Sequence, residues 1–117
     1  MRSISIILRK PPYGSVDAAE AIRHTLGVLA EELAVQLILM DGGVLAARKG
    51  QDTGMTGYLS AEEGMRDCLD MGATVYVDRQ SMEAAGIAAT DLVDGVTIAS
   101  QSEIAASMKG SGTTMIF

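Results

Sequence analysis

The stretch "AVQLILM" (residues 34–40) is apolar at six of its seven positions. A strand with one wet face alternates apolar and polar residues, whereas an almost unbroken apolar strand is covered on both faces. That describes the inside of a parallel sheet, and parallel neighbours require long crossover connections, usually helices. The rest of the chain supplies them. "SISIILR" (residues 3–9), "TVYV" (74–77), "GVTIAS" (95–100) and "TTMIF" (113–117) read as four further strands. Between the first two, Ala18, Ala21, Ile22, Thr25, Leu26 and Leu29 recur at helical intervals, so that segment has one apolar stripe.

Helix boundaries are also written in the chain. Ser15 or Asp17 is placed to cap the first helix, with Glu20 three residues after Asp17. A short helix is expected over residues 44–48. Ser60 and Glu63 have capping-box spacing and open a helix to about Asp70, where Gly72 ends it. Residues 81–85 form a short helix closed by Gly86, and Ser100 with Glu103 opens the last helix. The order β-α-β-α-α-β-α-β-α-β predicts one α/β domain over residues 1–117, a three-layer α/β/α sandwich on a five-stranded parallel sheet. Its expected core includes Ile6, Leu37, Leu39, Val75, Val77, Ile98 and Ile116.

Charge narrows the partners. The net charge is −6, which argues against a nucleic-acid surface. Residues 1–49 carry six basic and five acidic side chains, residues 50–117 three basic and ten acidic. The acidic half is either a solvated surface or a match for a basic protein face. No apolar run approaches the 18 or so residues that span a bilayer, and residues 4–8 are too short for a signal-peptide core. The single cysteine, Cys68, has no internal disulfide partner, so a reducing, cytoplasmic home is expected. Apolar residues at 48% and a mean hydropathy of +0.24 exceed what one small core needs. A homo-oligomer is expected, with Val28, Leu29 and the loop at residues 55–59 as candidate contacts.

In an open parallel sheet, ligands bind beyond the carboxyl ends of the strands. That rim carries Lys10, Tyr13 and Gly14 after the first strand and Asp41, Gly42 and Gly43 after the second. It carries Asp78, Arg79 and Gln80 after the third, and Gln101 and Ser102 after the fourth. Candidate binding residues are therefore Lys10, Tyr13, Gly14, Asp41, Gly42, Asp78 and Arg79. Asp78 also sits where a carboxylate caps the next helix. "KPPYGS" lacks the Gly-Lys-Ser/Thr of a Walker loop. "GQDTGMTG" has the glycines of a phosphate cradle but no lysine, and a helix rather than a strand precedes it. No His/Cys/Asp cluster has metal-ligand spacing, so neither metal nor cofactor is expected. His24 stands alone in the first helix, a surface or interface residue rather than a base. Cys68 shares a helical face with Ala61, Met65 and Leu69, which makes it a core residue rather than a nucleophile.

These rim segments resemble the DsrE/DsrF-like sulfur-relay family, most of all its DsrF or TusC branch, over most of the chain. "PPYGS" before an alanine-rich helix is similar to that branch's opening. "DGG" followed by Gly50 and Gln51 is similar to its Asp-Gly-Val…Gly-Gln stretch. "VYVDRQSMEAAGI" is similar to its strand, loop and helix, and the short last strand ending in Phe117 also fits. The resemblance implies strand order 4-3-2-1-5 and a setting in which persulfide sulfur passes between proteins. The family's carrier cysteine follows the third strand, where this chain has Asp78. The resemblance thus implies a non-catalytic or scaffold subunit rather than a sulfurtransferase, working with related DsrE-like subunits or a sulfur-carrier protein, as a trimer first and a dimer second. Two other readings stand beside it: a small-molecule or anion-binding module that uses the rim, and sulfur carriage by Cys68 itself.

Overall fold

A computed structural model describes residues 3–54, 56 and 59–117. Its strands are β1 (Ser3–Leu8), β2 (Ala34–Leu39), β3 (Thr74–Asp78), β4 (Thr97–Ala99) and β5 (Thr113–Ile116). All pair in parallel in the order β4-β3-β2-β1-β5, as the resemblance implied. The helices are α1 (Asp17–Ala30), α2 (Ala61–Asp70), α3 (Arg79–Ala84) and α4 (Gln101–Lys109). The short helix expected at residues 44–48 is instead a 3₁₀ segment, Asp41–Ala47, that begins as soon as β2 ends.

Strand alternation sorts the core into two layers. Ile6 and Leu8, Val35, Leu37 and Leu39, and Val75 and Val77 face the side covered by α1 and α2, where Ala18, Ala21, Met65 and Cys68 meet them. Ile7, Ile38 and Tyr76 face the other way, toward Ile104 and Met108 of α4. So β2 is apolar at all but one position because both of its faces are covered. Its one polar residue, Gln36, faces the α4 side. There its Nε2 donates to the Ser5 hydroxyl at 2.6 Å and to the Ser107 carbonyl at 3.0 Å, and the Ser107 hydroxyl donates to its Oε1. A half-buried polar group persists under a helix when bonded in this way.

Two expectations about the core fail. Ile116 is 66% exposed rather than in the core, because β5 is an edge strand and only its β1 side has a neighbour. Ile98 is only partly buried, on the opposite edge strand. The other five expected core residues are fully buried. At the start of α1, neither Ser15 nor Asp17 is the cap. Val16 occupies that position without a side-chain bond, and the Ser15 hydroxyl accepts the Asp17 N–H at 3.4 Å. Asp17 lies one residue too far along to cap, though its charge still suits the first turn. Ser60 and Ser100 do cap α2 and α4, and Glu103 completes the second box by accepting the Ser100 N–H. Among the described residues no helix is long and apolar enough to cross a membrane. The expected contact loop and the glycine-rich loop before it include residues 55, 57 and 58, which lie outside the described residues.

Candidate functional site

The site is built where β2 and β3 end. Asp78, the last residue of β3, keeps extended backbone angles while the chain enters α3 at the next residue. Its Oδ2 accepts the Ser81 N–H at 3.0 Å and the Ser81 hydroxyl at 2.5 Å. Asp78 is only 2% exposed, and its Oδ1 is buried with no hydrogen-bond partner in the described structure. Ser81 also accepts the Asp41 N–H at 2.9 Å through its Oγ. One hydroxyl therefore ties the exit of β2 to the exit of β3.

Asp41 has a φ of +50°, a left-handed conformation that aspartate tolerates better than most residues. This turn drives the chain straight from β2 into the 3₁₀ segment. Its carboxylate pairs with Arg9 Nε at 2.9 Å across the end of β1. Both side chains are more than half exposed, so the pair is worth at most about 1 kcal/mol. The two glycines that follow have a steric role. A Cβ on Gly43 would lie 2.0 Å from the Leu8 carbonyl oxygen, and one on Gly42 would lie 3.0 Å from Pro11 Cδ. "DGG" is what allows the 3₁₀ segment to pack on the end of β1.

A cleft of about 390 Å³ opens beside this corner. Asp41, Gly42, Asp78 and Ser81 line it together with Gln80, Gln101, Met40 and the methyl groups of Ala84 and Ala85. Gln101 Nε2 donates to Gln80 Oε1 at 2.7 Å on its outer side. The structure thus gathers three of the seven sequence candidates, Asp41, Gly42 and Asp78, into one cleft. Arg79 is exposed and borders a neighbouring hollow with Glu83 and Ser100. There its charge adds to the Ser100 N–H bond, the larger influence, that holds the Glu103 carboxyl below the usual carboxylate range.

Lys10, Tyr13 and Gly14 lie outside the cleft's lining. Lys10 is exposed, and Gly14 makes an exposed turn with φ of +100°. The Tyr13 hydroxyl donates to Gln51 Oε1 at 2.5 Å and accepts the Ala61 N–H at 3.2 Å. Gln51 Nε2 in turn donates to the carbonyls of Ala46 and Arg48, and the Gln51 N–H donates to Glu62 Oε1. Tyr13 and Gln51 therefore lock the segment before α2 against the 3₁₀ segment. No spacing in the sequence announces that pairing, since the two residues are 38 apart. Ser81, which joins the two strand ends, is equally silent in sequence and could have been read only as a helix residue.

Cys68 is fully buried within the apolar layer under α2. Burial, with a smaller contribution from Asp67, pushes its thiol up to about 12. The thiolate is then negligible near neutrality, and the thiolate is the nucleophile. The His24 Nδ1–H donates to the Glu20 carbonyl at 2.8 Å, and its ring lies 5.3 Å from that of Phe117. Among the described residues no group of three His, Cys, Asp or Glu side chains is arranged to hold a metal ion.

Comparison with known proteins agrees with this geometry. Residues 2–117 match the model of the DsrE/DsrF-like family. An uncharacterised protein of Methanocaldococcus jannaschii is 30% identical over 114 residues, covering 97% of each chain. The intracellular sulfur oxidation protein DsrF of Allochromatium vinosum is 37% identical over 87 residues, which is 74% of this chain and 64% of that one. Among solved structures, the ychN protein from E. coli superimposes with a TM-score of 0.90 over the whole of both chains at 25% identity. A protein of unknown function from Methanobacterium thermoautotrophicum superimposes with a TM-score of 0.77 at 12% identity, over 97% of each chain, a likeness of fold alone.

Proposed function

The chain belongs to the DsrE/DsrF-like family, and on that premise we propose that it serves cytoplasmic sulfur relay as a subunit that carries no sulfur itself. One observation carries the reading. The end of β3, where the resemblance puts a carrier cysteine, is filled by a buried carboxylate, Asp78, committed to capping α3. A carboxylate cannot hold a persulfide. The chain's one thiol is sealed in the core with its ionisation suppressed, so the alternative of sulfur carriage by Cys68 has no exposed nucleophile behind it. The similarity to a protein named for intracellular sulfur oxidation supports the setting.

A subunit without a carrier atom acts through contacts. Val16, Leu59 and Ile116 are large apolar residues more than half exposed. The Tyr13–Ala61 hydrogen bond holds the segment preceding α1 beside the start of α2, close in sequence to Val16 and Leu59. These residues favour association with copies of the chain, a trimer first and a dimer second, or with related DsrE-like subunits.

The test is sulfur loading. The purified protein is incubated with a low-molecular-weight persulfide and its intact mass measured, natively and after unfolding in denaturant. The proposal expects no added sulfur on the native protein and addition to Cys68 only once it is unfolded. Native loading that a Cys68→Ala change abolishes would make the chain a carrier and sink the proposal. Light scattering gives the assembly, and a monomer mass at micromolar concentration would remove the self-association part.

A further inference from the structure

The cleft has a chemistry that the sulfur-relay reading leaves unused. Its charged lining is two carboxylates, Asp78 and Asp41, the second already paired with Arg9, and no basic side chain is among its lining residues. Asp78 Oδ1 is fully buried and without a hydrogen-bond donor, while Oδ2 is saturated by Ser81. Buried polar atoms are nearly always paired, and one left unpaired marks a place where a donor belongs. The remaining polar lining adds an acceptor beside the Gln80 carboxamide, whose NH₂ is a donor. The NH₂ of Gln101 is engaged with Gln80, which leaves the Gln101 carbonyl oxygen available. Ala84, Ala85 and Met40 supply an apolar wall.

We infer that this cleft binds a primary ammonium group on a short apolar stem, with Asp78 as its principal acceptor. An ammonium carries three N–H donors and no acceptor, which suits a wall of carboxylates and a carboxamide oxygen. An anion would meet the Asp78 carboxylate, and Asp41, paired with Arg9, adds no attraction for it. The volume, about 390 Å³, falls in the range of small-ligand sites and exceeds what the ammonium alone needs, so the stem lies along the alanine methyls. The same chemistry is offered by a free alkylamine and by a lysine side chain of another protein. This inference is independent of the sulfur-relay proposal: sulfur loading and ammonium binding are separate measurements, and either can fail alone.

The experiment titrates the full-length, isotopically labelled protein with butylammonium, butyrate, butanol and Nα-acetyl-lysine methylamide, following backbone amide resonances by NMR at about 0.15 M salt, where diffuse charge attraction is screened. Butylammonium is expected to shift the Asp41, Ser81 and Gln101 amides saturably, and butyrate and butanol to leave them in place. Asp78→Asn retains a side chain that caps helices well, so it keeps the fold, yet it should weaken butylammonium binding about tenfold or more. Ala85→Phe fills the cleft from an exposed position and should abolish binding without a change in melting temperature. If the lysine derivative binds as tightly as butylammonium, the source is a partner's lysine; if it does not bind, the source is a free amine. Equal shifts by butyrate, no saturable shift at the cleft amides, or undiminished affinity in Asp78→Asn would each overturn the inference.

Discussion

Cys68 and Asp78 are both almost completely inaccessible, and both are residue types that do chemistry elsewhere. Their surroundings separate them. Cys68 sits in the last turn of α2 among Ala61, Met65 and the strand side chains of the larger core layer. Nothing there stabilises a thiolate, and its proton is held up to about 12. Asp78 sits at the end of a strand, against a backbone N–H, a hydroxyl and a cleft. Burial alone therefore says little about function. What decides it is whether the buried group meets hydrogen-bond donors and a path to a ligand, or only hydrocarbon.

The largest effect should come from exchanging the two positions. In a Cys68→Ala background, Asp78→Cys puts a thiol where the Ser81 N–H and hydroxyl already converge on the side chain. Its labelling by a bulky thiol reagent should exceed that of native Cys68 by about a hundredfold or more, since Cys68 reacts only after local opening. Comparable rates would mean that the two sites differ less than their geometry suggests, and would weaken the link between the end of β3 and sulfur chemistry.

Next in size is the loss of the carboxylate. Asp78→Ala removes the cap and strands the Ser81 N–H and hydroxyl, so it should lower unfolding free energy by about 2–3 kcal/mol in urea titration. Asp78→Asn retains the acceptor and should cost less than about 1 kcal/mol. Equal losses in both would show that charge, rather than capping, holds the corner together.

Much of this contrast was legible in the chain. Asp78 followed by Ser81, and Ser100 followed by Glu103, show capping positions because a cap is a local interaction with fixed spacing. The five strands were legible because apolar runs and helical stripes have different periods. Ile116 was misplaced because "TTMIF" reads the same whether or not a helix covers its outer face, and edge position depends on the whole topology. The Tyr13–Gln51 bond and the Ser81 link to Asp41 join residues 38 and 40 apart. No local spacing rule reaches that far. Gly43 is legible in the chain only as a rim residue after the second strand; its real constraint, the Leu8 carbonyl 2.0 Å from any Cβ, exists only once β1 and β2 are paired.

A smaller effect is expected at Cys68. Cys68→Ser should cost about 1–2 kcal/mol in the same urea titration. The new hydroxyl gives up apolar contact, and a bond to the carbonyl one turn back in α2 recovers part of the loss. A loss above that of Asp78→Ala would make the interior of α2, rather than the strand-end corner, the more sensitive region.

The smallest effect is a pH dependence that belongs to one of the two sites and separates it from the other. The Cys68 thiol has a folded value of about 12 against an ordinary 9.0. Below about pH 9 both folded and unfolded chains keep this proton, and Cys68 adds nothing to the slope of stability with pH. Above it the unfolded chain releases the proton while the folded chain retains it, so the folded state binds more protons and rising pH favours unfolding. The contribution is therefore intact below pH 9 and is lost as pH climbs toward 12, amounting to about 1 kcal/mol at roughly pH 10. Tyrosines and lysines titrate in the same window, so the measurement is a difference. Unfolding free energies of the native sequence and of Cys68→Ala are compared at neutral pH and at roughly pH 10, and the gap should narrow by that amount at the higher value. A gap that does not move would mean the thiolate is tolerated where it stands, and Cys68 would then regain its place as a candidate sulfur carrier.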